Sequence, residues 1–182
     1  MDAESTASNL LGAVGTRLAH SISVAHQASI VAPMLAAPWN AALVPAAWLH
    51  DVGYAPDLRL TDFHPLDGAR WLRANGWQTE VCCLVAWHTR AETEAEMRML
   101  LTEMGNEFPK PPYHARVALV WADLTSSPLG VPCTAAHRID EILGRYPETS
   151  IVHRATVANR SALLADAAEV ESMLSVIGDS RP

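Results

Sequence analysis

The chain has 182 residues, 49% of them hydrophobic and 18% charged, a globular composition long enough to bury a core without disulfides or a structural metal. Thirteen basic residues against twenty acidic ones leave a net charge of −7, with Lys110 the only lysine. That balance argues against sequence-independent binding to a nucleic acid polymer and against a polybasic membrane patch.

Cys82, Cys83 and Cys133 form an odd set without a CxxC pair, so neither a disulfide framework nor a thiolate zinc site is expected. The acidic start Met1-Asp2-Ala3-Glu4 lacks the basic and apolar regions of a signal peptide. Pro33, Pro38 and Pro45 break the most apolar stretches before they reach membrane-spanning length. A soluble, cytoplasmic protein is the expectation.

The periodicity is helical nearly throughout, without a strand or hairpin signal, and predicts an all-α fold. A first helix is expected over Ser8 to Val31. A second is capped by Asn40 and stops at Gly53. A third starts at Pro65 and ends at Asn75-Gly76. A fourth runs from Thr79 through His88. Met97, Leu100, Leu101 and Met104 place an apolar stripe on a fifth, which covers the core or acts as a lid. The proline-rich stretch from Phe108 to Tyr113 is the clearest linker. Helices over Ala115 to Leu124, Thr134 to Tyr146 and Ser150 to Ile177 complete the chain. The last two carry no chemical motif, and are expected to pack on the rest or to meet a second copy in a homodimer.

The chemistry lies in polar residues that interrupt these apolar runs. Composition alone gives about 0.4 His-Asp pairs by chance. His50-Asp51 therefore gains its weight from its company: His20 in Arg17-Leu18-Ala19-His20-Ser21, His64 in Phe63-His64-Pro65, His88 in Trp87-His88-Thr89, and Asp123 in Val120-Trp121-Ala122-Asp123. A buried imidazole or carboxylate needs a partner, and a shared metal would serve all six. Four imidazoles, two carboxylates and no thiolate suit Fe, Mn, Co, Ni or Zn better than Ca or Mg. A carboxylate next to a ligating histidine at a helix end can bridge two ions.

Arg17 shares a helix face with His20, and either binds an anion or pairs with Asp51 or Asp123. Arg90 either reaches a substrate phosphate or is a solvated helix-end arginine. Thr125, Ser126 and Ser127 either donate to an anion or close a helix. His26, His114, His137 and His153 read as solvated, and Cys82 and Cys83 as small core residues.

The order His20, His50-Asp51, Asp123 on helices resembles the motif of the HD-domain superfamily of metal-dependent phosphohydrolases. The likeness spans roughly residues 17–128. It is strengthened by Ala-Ala-Trp-Leu-His50-Asp51-Val-Gly-Tyr and His64-Pro-Leu-Asp-Gly-Ala-Arg-Trp-Leu-Arg, which are similar to small bacterial HD proteins. The resemblance implies a single HD domain over residues 1–182, a helical bundle with its core at about 16–128 and extra C-terminal helices at about 133–178. It implies that His20, His50, Asp51 and Asp123 are metal ligands. His64 and His88 fall where dinuclear members carry two further histidines, and their contexts resemble the hydrolases of symmetrical dinucleoside tetraphosphates. Trp87 departs from those relatives, many of which place another histidine before His88.

The implied cofactor is one or two divalent transition-metal ions. The implied activity is hydrolysis of a phosphoester or phosphoanhydride in a small-molecule phosphorylated substrate. A metal-activated hydroxide attacks phosphorus, Asp51 bridges the ions, and Arg17 or Arg90 offsets the developing charge. Two alternatives use the same residues: a mixed-valence di-iron oxygenase of the superfamily, and a non-catalytic nucleotide-sensing module.

Overall fold

The computed structural model describes residues 2–179. Among the described residues the regular elements are ten α-helices and four 3-10 turns, with one isolated bridge between Ser126 and Pro132, so the fold is all-α. No helix among the described residues is long and apolar enough to cross a membrane. One continuous apolar core runs from Ala7 near the N-terminus to Val170 near the C-terminus, and Cys82 and Cys83 are buried within it.

The expected first helix is two. α1 (Ala3–Leu11) is capped by the Asp2 carboxylate, which accepts from the Ser5 amide at 2.8 Å. It ends at Gly12, and Gly15 lies in the left-handed region at φ 53°, where a right-handed helix has to stop. α2 (Arg17–Val31) begins afresh, which puts Arg17 on its first turn and His20 one turn further.

α3 (Trp39–Leu49) starts after Pro38 rather than at an Asn40 cap, and stops four residues before Gly53. His50 is its last, half-helical residue, and Asp51 leads into a 3-10 turn at Val52–Tyr54. Gly53 has a specific task here: a Cβ on it would lie 2.1 Å from the His64 carbonyl. Only glycine lets this turn close on α4 (His64–Ala74), and that approach brings Asp51 beside His64.

α5 (Thr79–Ala86) ends before His88, which opens a 3-10 turn instead of extending the helix. The expected fifth helix is also divided, into α6 (Ala91–Met97) and α7 (Leu101–Glu107), with Met99 left-handed at φ 61° between them. Leu100, Leu101 and Met104 pack against the core.

α8 (Tyr113–Leu124) is buried along most of its length and carries Asp123 at its C-terminal end. α9 (Ala135–Arg145) is capped by the Thr134 hydroxyl, which accepts from the His137 amide at 3.2 Å. α10 (Ile151–Asp179) lies against α6, α8 and α9. The C-terminal helices thus pack on the rest of the chain.

Candidate metal centre

Six side chains from five chain segments converge inside the bundle. His20 comes from α2, His50 and Asp51 from the end of α3, His64 from the start of α4, His88 from the turn after α5, and Asp123 from the end of α8. Their ligand atoms form two adjoining triads, His20–His50–Asp123 and Asp51–His64–His88, each of which can hold a metal ion. His64 is half-buried and the other five are buried. The imidazoles sit edge to face, with centroids 5.3 Å apart for His20–His50 and His50–His88, and 5.0 Å for His64–His88.

The backbone fixes which nitrogen each ring presents. His20 Nδ1 lies 3.2 Å from the Ser127 carbonyl, His50 Nδ1 2.8 Å from Ala47, and His88 Nδ1 2.6 Å from Val85. A carbonyl oxygen only accepts, so each Nδ1 donates and each ring turns its Nε2 inward. Those nitrogens meet one another and the carboxylates. His20 Nε2 is 3.0 Å from Asp123 Oδ1, and His88 Nε2 is 3.1 Å from His64 Nε2. His50 Nε2 is buried with no hydrogen-bond partner and lies 3.6 Å from Asp51 Oδ2. His64 Nε2 is 3.5 Å from Asp51 Oδ1. Converging ligand atoms of this kind are what a cation satisfies, and carbonyls bonded to the far ring nitrogen orient histidine ligands. The donor set fits a transition metal.

The ionisation states agree. Burial pushes His50 down to about 4, and burial followed by His88 holds His64 well below its ordinary value, so both are neutral. For Asp51, burial raises the pKa, but Arg17 and the neighbouring histidines outweigh it and keep the carboxylate ionised. Asp123 follows the same pattern, with burial outweighed first by the His20 hydrogen bond, so that it too stays ionised. Ionised carboxylates and neutral imidazoles are the ligating forms.

Arg17 pairs with Asp51, Nη1 donating to Oδ2 at 2.7 Å, and lies over the Tyr54 ring at 3.7 Å. Tyr54 in turn stacks on His64 at 4.0 Å. Arg90 is neither solvated nor free for a phosphate. Its Nε and Nη2 both donate to the buried Asp166 carboxylate of α10 at 2.7 Å. Thr89 and Arg90 are both left-handed, at φ 49° and 55°, a strained conformation for residues with a Cβ. Asp166 and Asn159, which donates to the Arg90 carbonyl at 3.3 Å, hold this elbow from α10. It lets the Thr89 hydroxyl donate to Asp123 Oδ2.

Thr125 and Ser126 close the end of α8. Thr125 donates to Trp121 O, and Ser126 donates to Ala122 O and accepts from Ser23. The Ser127 hydroxyl accepts from the Val131 amide. His26 and His114 are exposed, whereas His153 is half-buried and bonds the Tyr146 carbonyl at 3.0 Å. The methionine stripe takes no part in lining the cleft over the triads. That cleft has an empty volume of ≈ 760 Å³, part of it open to solvent, and α9 and α10 form its outer wall.

Sequence reasoning passed over Tyr54, Asp166, Asn159, Arg138 and Arg145. Asp166 had a signal: it interrupts Ala-Leu-Leu-Ala-Asp-Ala-Ala just as Asp123 interrupts its own apolar run. No protein-family model, curated protein or solved structure matches this chain.

Proposed function

We propose that the chain is a metal-dependent phosphohydrolase of the HD superfamily, acting on a phosphoester or phosphoanhydride of a small nucleotide or phosphorylated metabolite. The observation that carries this reading is the convergence of three histidines with carbonyl-fixed tautomers, a fourth histidine and two carboxylates on one gap beneath a cleft. His20, His50 and Asp123 would hold one ion and His64 and His88 the other, with Asp51 between the two triads. When bound, such ions supply Lewis acidity toward a phosphoryl oxygen and lower the pKa of water toward about 7.

The chain's own residues supply charge and position. Arg17, Arg90, Arg138 and Arg145 line the cleft, Arg17 on Asp51, Arg90 on Asp166, and Arg138 and Arg145 sharing Glu141, so that guanidinium groups stand at the wall where an anionic substrate would lie. Arg17 uses Nη1 on Asp51 and lies over the Tyr54 ring. Thr89 occupies Asp123 Oδ2 and leaves Oδ1 facing His20.

The test is elemental analysis of protein purified without added metal, normalised per chain, beside phosphate release from a panel of nucleotides and phosphorylated metabolites. The expected result is two transition-metal ions and phosphate release that a chelator abolishes. Product formed only as O₂ is consumed would make the protein a di-iron oxygenase. Metal and nucleotide binding without turnover would make it a sensing module.

A further inference from the structure

The C-terminal helices lack a sequence motif, yet α9 places an unusual arginine in the cleft wall. Arg138 is 4% exposed, its Nη1 bonds Glu141, and its buried Nε–H has no hydrogen-bond partner. A buried guanidinium N–H without an acceptor is costly, and the Nε–Nη2 edge is the one that matches an oxyanion. The other arginines differ: Arg90 commits that same edge to Asp166, and Arg17 is bound to Asp51.

Glu141 is shared, because Arg145 Nη2 also donates to it at 2.7 Å. Arg138 and Asp123 line the same cleft. One helical turn along, Ile142 lines the same cleft, and Val152 and Leu163 are among the α10 residues that line it too.

Resting on the phosphohydrolase reading of this site, we propose that Arg138 anchors the substrate's phosphoryl oxygens beside Asp123 while Ile142, Val152 and Leu163 receive an apolar remainder, so that the substrate is a phosphomonoester of an apolar alcohol rather than a polyphosphate. The α9–α10 segment thereby selects the substrate, and the histidine–aspartate cluster beneath it holds the ions.

The experiment titrates the full-length, zinc-loaded chain with phenylphosphonate and, separately, with inorganic phosphate, following the Arg138 Nε–H signal by nuclear magnetic resonance. Zinc content is measured on the same sample. The Nε–H signal should shift with both ligands. Arg138→Lys, which keeps the charge and loses the fork, should weaken both by about tenfold or more. Ile142→Ala should weaken phenylphosphonate severalfold and leave phosphate unchanged. An Nε–H signal that stays put under saturating ligand, or equal binding by a folded Arg138→Lys, overturns the proposal. If that variant does not fold, the wild-type signal decides alone. Bound zinc with no shift rejects the anchor and spares the hydrolase reading. A shift in a chain that binds no zinc rejects the hydrolase reading and leaves Arg138 as an anion site.

Discussion

His50→Leu separates a residue kept for metal from one kept for packing. The His50 ring is buried, its Nδ1 bonds Ala47 O at 2.8 Å, and its Nε2 has no partner. In the metal-free chain the orphaned Nε2 costs about 1–3 kcal/mol, and the single Nδ1 hydrogen bond returns about 1 kcal/mol. Leucine has a similar volume and removes the Nε2 orphan at the cost of the Ala47 bond, so the metal-free variant should be about 0–2 kcal/mol more stable than the wild type. With zinc the order should reverse. A wild-type chain at a hundredfold excess over Kd gains about 2.7 kcal/mol, which for this size raises Tm by about 5–10 °C. The variant should gain far less, because one triad has lost a ligand. Differential scanning calorimetry after chelation, repeated with zinc, reads both numbers. A metal-free variant destabilised by more than about 2 kcal/mol would show that His50 is a satisfied core residue and refute the reasoning.

Asp51→Ala should remove both ions, since Asp51 faces histidines of both triads, and elemental analysis showing stoichiometric metal would contradict this. His64→Ala and His88→Ala should each lose one ion and keep a helical circular dichroism spectrum; unchanged metal content in both would leave a mononuclear site. The metal-free chain should lose stability in acid: His50 stays neutral to about 4 while the unfolded chain protonates near 6.5, so stability present above pH 6.5 falls by about 3 kcal/mol toward pH 4. A urea midpoint flat across that window would count against it. Asp166→Ala should cost about 3 kcal/mol by stranding Arg90, and should weaken zinc about tenfold as the Thr89–Arg90 elbow relaxes. Zinc affinity unchanged in competition with a chelating dye would place the elbow outside the site's support.

The helical class and the six converging side chains were legible because a polar residue inside an apolar helix is conspicuous. His20, His50, Asp51 and Asp123 all stand out that way. The breaks were harder to see. Gly15 divides the first helical run, and Met99 divides the fifth, because a left-handed residue ends a helix that apolar spacing would continue. Periodicity carries no φ information. The role of Gly53 was equally hidden, since it depends on the His64 carbonyl being brought against it. Arg90 looked free because its partner, Asp166, lies 76 positions away in sequence. The contribution of α9 to the cleft was invisible for the same reason: Arg138 and Arg145 are ordinary surface-type residues until α10 packs behind them.

A core this polar is expensive for a chain of 182 residues. His20, His50, Asp51, His88 and Asp123 are each less than 10% exposed, and among the described residues Arg17 is the only arginine bonded directly to any of them. Apolar residues of similar volume would give a more stable bundle. Nor is the cluster a by-product of one local packing event. Its members arrive from α2, α3, α4, α8 and the His88 turn, and three rings are separately locked by carbonyls from Ser127, Ala47 and Val85. Each lock turns the ring's other nitrogen toward the same small volume as two ionised carboxylates. Thr89 answers one oxygen of Asp123, yet among the described residues nothing answers His50 Nε2. A positive ion held there would account for the convergence, the fixed rings and the orphan together.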